Sequence, residues 1–272
     1  SLTTLLLLLA IPFGLLNASE KKARRPNVLL IMIDDLGWMD LHCQGNRRLD
    51  TPNLDRLAKQ GMRFTAAYAA APVCSPTRAA IMTGLSPARL QLTNHITYSD
   101  FIPKNSKVLP AKTRLFLPLT HDTLAERLKR AGYSTGFFGK WHLAGIPKRG
   151  GKGQEKYYPE HQGFDINKGG CAHGGPPSFF DPYRIHNLPD RKKGEYLPDR
   201  LTDEAIQFMR KNKQKPFFVA LWNYTVHWPM QAPENLVKKY EQRKGPGVKD
   251  PRYAAMIEAM DRSIGRILES LR

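Results

Sequence analysis

The chain has 272 residues, 41% of them hydrophobic, which suits one large α/β domain or two smaller ones and excludes a globally disordered chain. Its 42 Lys and Arg against 24 Asp and Glu leave a formal charge of +18, which favours an anionic partner over a cationic one. No zinc-finger spacing, aromatic RNA-binding motif or heptad repeat points to nucleic acid, and three cysteines permit at most one internal disulfide.

The N-terminus reads "SLTTLLLLLAIPFGLLNASEKKARRP". Leu5 to Leu16 form an apolar run, followed by the small or polar residues Asn17, Ala18 and Ser19. This pattern reads as a signal peptide over 1–19, cleaved near Ala18 or Ser19, with an uncleaved anchor helix as the alternative. The expected location is therefore secreted or periplasmic, without a stable membrane span after cleavage. Export permits disulfides; with Cys74 reserved for another role, Cys43 and Cys171 can pair.

The folded part begins near residue 26. "VLLIMI" at 28–33 is a continuous apolar run, as expected of a strand buried on both faces in a parallel sheet. "NLDRLAKQ" at 53–60 reads as a helix, with Thr51 as cap, Pro52 as first residue and Gly61 as stop. "MRFTAAY" reads as a short strand leading toward Cys74. Residues 123–131 form a second helix, opened by the capping-box pair Thr123 and Glu126. Strands are expected at 133–138 and 217–222, helices at 202–212 and 253–271, and functional loops over 147–200.

Alternating strands and helices predict an α/β fold, a mostly parallel sheet flanked by helices on both faces. Such sheets gather ligands beyond the C-terminal ends of their strands. There the sequence places Asp34 and Asp35, Cys74 with Arg78, Lys140 with His142, and His227. Adjacent carboxylates suit a hard divalent cation such as Ca2+ or Mg2+, or else a helix cap and a surface acid. A thiol near a helix start and an Arg can be a stabilised thiolate, or a small buried hydrophobe. The two histidines can transfer protons, bind an anion, or be structural.

The residues "RPNVLLIMIDDLGWMDLHCQG", "TPNLDRLAKQGMRFTAAYAAAPVCSPTRAAIMTG", "GYSTGFFGKWHL" and "VHWPM" resemble the formylglycine-dependent, arylsulfatase-like sulfatases of the alkaline-phosphatase superfamily, from about Arg25 onward. The Cys74-Ser75-Pro76-Thr77-Arg78 stretch is specific when an Asp-Asp pair precedes it and G-K-W-H-L follows. The resemblance implies that a maturation enzyme converts Cys74 to formylglycine, whose hydrate attacks sulfur and then expels sulfate. It implies that Asp34, Asp35 and an oxygen at position 74 hold Ca2+, in preference to Mg2+. It implies that Arg78 and Lys140 steady the modified residue and the sulfate, that His142 is a base, and that His227 binds sulfate near the leaving oxygen.

The resemblance further implies that 26–272 is the N-terminal portion of a catalytic domain. The family's remaining metal ligands, a further lysine and a smaller subdomain follow the helix that "YAAMIEAMDRSIGRILESL" resembles, so this portion alone is expected to be poorly active. The expected function is sulfate-ester hydrolysis, on a sulfated small molecule or polysaccharide. The alternatives are a phosphoester or phosphonate hydrolase of the same superfamily, and a fragment that binds sulfated glycans without turnover.

Overall fold

The computed structural model describes residues 25–97, 105–109 and 111–272. The expected signal peptide lies outside the described residues. Among them, no helix is long and apolar enough to cross a membrane.

Four strands, β1 (Val28–Ile33), β2 (Ser134–Gly139), β3 (Ile166–Lys168) and β4 (Phe217–Asn223), form one sheet in the order β1-β4-β2-β3. Every pairing is parallel, with Val28 opposite Phe218, Ser134 opposite Phe217, and Gly136 opposite Ile166. The strands' C-terminal ends therefore share one edge of the sheet. β4 is central and wholly buried. Among the described residues β1 pairs on one side only and is half-buried throughout, with all six of its residues packed against the core.

Among the described residues, seven α-helices connect and cover the strands: α1 (Pro52–Gln60), α2 (Cys74–Thr83), α3 (Pro87–Leu90), α4 (Leu124–Arg130), α5 (Leu197–Lys211), α6 (Glu234–Glu241) and α7 (Pro251–Ser270). Consecutive residues of a strand face opposite ways, and β2 shows both layers. Phe138 meets Phe208 of α5, while Phe137 packs edge-on to Trp141, Phe164 and Trp222 on the other face. There Arg78 of α2 lies over the Trp222 ring. α7 packs on α5, burying Met256, Ile257, Met260, Ile264 and Ile267. Each such side chain removed from water contributes roughly 1.5–3 kcal/mol.

Local signals explain most element boundaries. Thr123 and Glu126 cap α4 reciprocally, at 3.1 and 2.7 Å. Asp250 caps α7, accepting from the Arg252 amide at 2.9 Å. α5 starts five residues before its expected position, because Leu197 and Pro198 join the buried face with Leu201 and Ala205. Thr51 does not cap α1. Its hydroxyl accepts from the His42 amide and donates to Asp55, and α1 is instead capped by Asp261 of α7.

One further expectation fails. "MRFTAAY" is not a strand: no described strand pairs with it, and Met62, Phe64 and Tyr68 are exposed. Cys43 and Cys171, whose pairing the sequence left open, are both free.

Candidate active site

β1 ends at Ile33, and the next two residues turn over the sheet's edge. The Asp34 amide donates to the Thr225 carbonyl at 3.0 Å and the Val226 amide to the Asp34 carbonyl at 2.7 Å. These bonds join the loop after β1 to the loop after β4. Asp35 has φ +58°, a left-handed conformation that Asp tolerates better than most residues. Tyr253 of α7 fixes this loop, bonding through its hydroxyl to the Asp35 carbonyl and to Asp40. Asp34 is thereby buried, whereas the Asp35 side chain is 53% exposed.

Cys74 is the first residue of α2, and Arg78 lies one turn further on. Arg78 donates to the Lys140 carbonyl, and its Nη2 lies 3.3 Å from Asp34 Oδ1. Lys140, the residue after β2, is fully buried. Its ammonium donates to Asp34 and to Cys74 Sγ, the latter at 3.1 Å. Burial pushes the Asp34 carboxyl up, but the charges of Lys140 and Arg78 together with the Lys140 hydrogen bond prevail and hold it at about 2. Burial pushes the Cys74 thiol up, and the Asp34 charge adds to it against Lys140 and Arg78. The encoded cysteine is therefore a protonated thiol at neutral pH rather than the thiolate its position suggested.

His142 has φ +56° and is 3% exposed. Its Nε2 lies 2.7 Å from the Ile96 carbonyl, which only accepts, so Nε2 carries the proton. Nδ1 is buried without a partner. Burial, reinforced by the Lys140 and Arg78 charges, holds the imidazole well below its ordinary value, so it is neutral with a free lone pair. No hydrogen bond joins it to Cys74 among the described residues.

His227 follows β4, and its Nδ1 lies 2.8 Å from the Trp228 carbonyl. That contact makes Nδ1 the donor and leaves Nε2 of the neutral ring as a lone pair. Nε2 lies 3.8 Å from Asp35 Oδ2, and ligand atoms of Asp34, Cys74 and His227 all lie within 4.8 Å of one another. A cleft of about 260 Å³ opens among Asp34, Asp35, Ala71, Cys74 and Arg78.

All seven sequence-derived candidates thus gather at one edge of the sheet, three of the four groups on strand ends and Cys74 with Arg78 on α2. Within the loop segment expected over 147–200, Gly174 and Gly175 lie against the two histidines, a contact that no local pattern announces. A Cβ at Gly174 would lie 2.7 Å from His142 Cε1, and one at Gly175 would lie 2.8 Å from His227 Nδ1. Only the paired glycines let this backbone approach both rings. Ser75 was also missed: its hydroxyl donates to the His142 carbonyl and accepts from the Ile96 amide.

Asp34 and Asp35 balance Lys140 and Arg78 in charge, so a bound dication would leave the pocket strongly positive and suited to an anionic ester. The two carboxylates suit a hard, oxygen-seeking cation. The Cys74 sulfur does not, and position 74 fits such an ion only once it carries oxygen.

The family described as Sulfatase matches residues 26–272. N-acetylgalactosamine-6-sulfatase of Mus musculus is 32% identical over 289 residues, covering 98% of this chain and 50% of that protein. Steryl-sulfatase of Homo sapiens is 37% identical over 336 residues, covering 96% of this chain and 55% of that protein. Among solved structures, Ps i-CgsB in complex with k-i-k-neocarrahexaose superposes with a TM-score of 0.71 at 30% identity, covering 91% of this chain and 55% of that one. The chain spans about half the length of the curated relatives it matches.

Proposed function

The chain belongs to the sulfatase family, and from that premise we propose that its protein hydrolyses sulfate esters at the pocket around residue 74. The observation that carries this reading is the convergence of Lys140, Arg78 and Asp34 on the Cys74 side chain in an open cleft. A sulfated glycan is the substrate class we favour. The relative solved with a neocarrahexaose and the chain's surplus of basic residues support that choice.

Cys74 matures to formylglycine in this reading, which requires a modifying enzyme as partner. When hydrated, the aldehyde supplies a hydroxyl nucleophile together with a second hydroxyl that allows sulfate to leave. Ca2+, when bound by Asp34 and Asp35 with oxygen at position 74, supplies Lewis-acid stabilisation of negative charge.

The remaining work falls to the chain's own side chains. Lys140 and Arg78 hold the anionic group, and because both are buried their charges act at low dielectric. Neutral His142 offers Nδ1 as a proton acceptor. His227 places Nε2 at the rim of the same pocket, oriented by the Trp228 carbonyl. The Gly174–Gly175 backbone packs closely against both rings. We place the protein outside the cytoplasm, secreted or periplasmic, on the strength of the N-terminal sequence.

The test is turnover of an aryl sulfate and the matching aryl phosphate by the complete gene product, produced together with the modifying enzyme. The reading expects the sulfate to be preferred at least about tenfold and Cys74→Ala to abolish turnover. A preferred phosphate, or an unaffected Cys74→Ala variant, would overturn it.

A further inference from the structure

The pocket's geometry fits the encoded thiol with a different metal. We propose that, while Cys74 is a thiol, Asp34, Cys74 and His227 form a Zn2+ site with Asp35 at its edge. This rests on reading the pocket as a metal site, not on sulfate-ester turnover.

The donor set is one imidazole nitrogen, one sulfur and carboxylate oxygen, a combination that selects Zn2+ over oxygen-seeking cations. A tetrahedral Zn2+ with ligands at roughly 2.0–2.3 Å keeps its donors about 3.3–3.8 Å apart. Cys74 Sγ and Asp34 Oδ2 are 3.9 Å apart, and His227 Nε2 and Asp35 Oδ2 are 3.8 Å apart. The atoms of Asp34, Cys74 and His227 lie within 4.8 Å of one another, so closing on an ion takes about 1 Å.

The surroundings are those of a metal-binding histidine. His227 gives its Nδ1 proton to a backbone carbonyl, which orients Nε2 and keeps its lone pair toward the pocket. The Lys140 ammonium, 3.1 Å from the sulfur, stands as an outer hydrogen-bond donor to a thiolate. Three anionic donors exceed the ion's charge by one, and the buried Lys140 and Arg78 beside Asp34 turn that excess into a single positive charge. Neither Cys43 nor Cys171 has such a setting: Cys43 bonds through its amide to Asp55, and Cys171 is sealed beside Tyr224. Oxygen at position 74 would remove the only soft anionic donor, so the preference for Zn2+ belongs to the thiol form.

The experiment uses the full chain made without the modifying enzyme, its thiol verified by mass. Titration with Co2+ should give one equivalent with a near-ultraviolet thiolate-to-cobalt band. Zn2+ should displace it, and a hundredfold excess of Ca2+ should not. Cys74→Ser, with circular dichroism confirming its fold, should lose the band and bind Zn2+ at least about tenfold more weakly, as should His227→Ala. Cys43→Ser and Cys171→Ser should keep the band. Should Cys74→Ser fail to fold, Zn2+ protection of Cys74 from alkylation in the native chain gives the same answer. A band that survives Cys74→Ser or disappears in Cys43→Ser, displacement by equimolar Ca2+, or unprotected alkylation would overturn the proposal. Aryl-sulfate turnover by the matured protein without a Co2+ band in the thiol form removes this inference alone. A band without turnover after maturation removes only the hydrolase reading.

Discussion

Lys140 and Asp34, set on the loops that follow β2 and β1, form a buried hydrogen-bonded ion pair. The pair ties two strand ends together directly beneath the Cys74 sulfur. Lys140 also carries much of the force that keeps Asp34 ionised against its burial.

From that pair follows an acid-stability prediction for the metal-free protein. The Asp34 carboxyl is lowered from 3.8 to about 2 on folding. Its contribution is complete above the unfolded value and is lost as pH falls toward the folded one, on the order of 2 kcal/mol in all. Lys140→Met should raise the Asp34 pKa, so that acid weakening sets in at higher pH. Denaturant unfolding across the acid range checks this. An unchanged acid profile would show that Lys140 does not stabilise the ionised form.

Asp261 supplies a second prediction. It accepts from the amides of Asn53 and Leu54 at 3.2 and 2.8 Å and from the Asn53 side chain at 2.8 Å. Asp261→Ala leaves these donors unpaired in a half-buried setting and should cost about 1–3 kcal/mol. Thr51 cannot compensate, since its hydroxyl is engaged with His42 and Asp55. Urea unfolding measures the loss, and a change below about 0.5 kcal/mol would show that α1 does not depend on α7 for its cap.

Asp261 also shows what the sequence could and could not reveal. Helix α1 was legible from Pro52 and its apolar spacing, but its cap comes from 208 positions away, a relation no local pattern encodes. The site residues were legible because parallel strands deliver their C-terminal ends to one edge, as the apolar runs at 28–33, 133–138 and 217–222 indicated. "MRFTAAY" carried strand-forming residues, yet a strand exists only with a partner, which composition does not provide. Strand β3 is three residues long within a Gly- and Pro-rich segment and left no periodic signal. Gly174 and Gly175 read locally as a turn, and their role appears only when the rings of His142 and His227 are in place.

Gly174→Ala tests that contact. The added methyl would sit 2.7 Å from a His142 ring that its own hydrogen bond holds in place. The variant should lose roughly 1–3 kcal/mol of stability and lose turnover through a shifted His142. Gly61→Ala, where a Cβ meets only the Leu57 carbonyl at 3.4 Å, should behave like the parent. Equal melting temperatures for the two variants would contradict the contact.

His173 adds a second pH dependence at mildly acidic pH. Burial, with a smaller push from His186, lowers its pKa from 6.5 to about 4. A histidine held neutral in the fold stabilises fully above its unfolded value and progressively less as pH falls toward the folded one. Stability should therefore decline between about 6.5 and 4, and His173→Gln should flatten that part of the profile, as read by thermal unfolding. A profile of unchanged slope would show that His173 is protonated in the folded protein.

The central claim is that Cys74 is the modified residue of a sulfate-ester hydrolase. Its most direct test is the mass of the tryptic peptide 64–78, which contains Cys74, from protein made in a host with the modifying enzyme. The account predicts a loss of about 18 Da at Cys74, the replacement of sulfur by aldehyde oxygen. An intact thiol in protein that hydrolyses sulfate esters at full rate would contradict it.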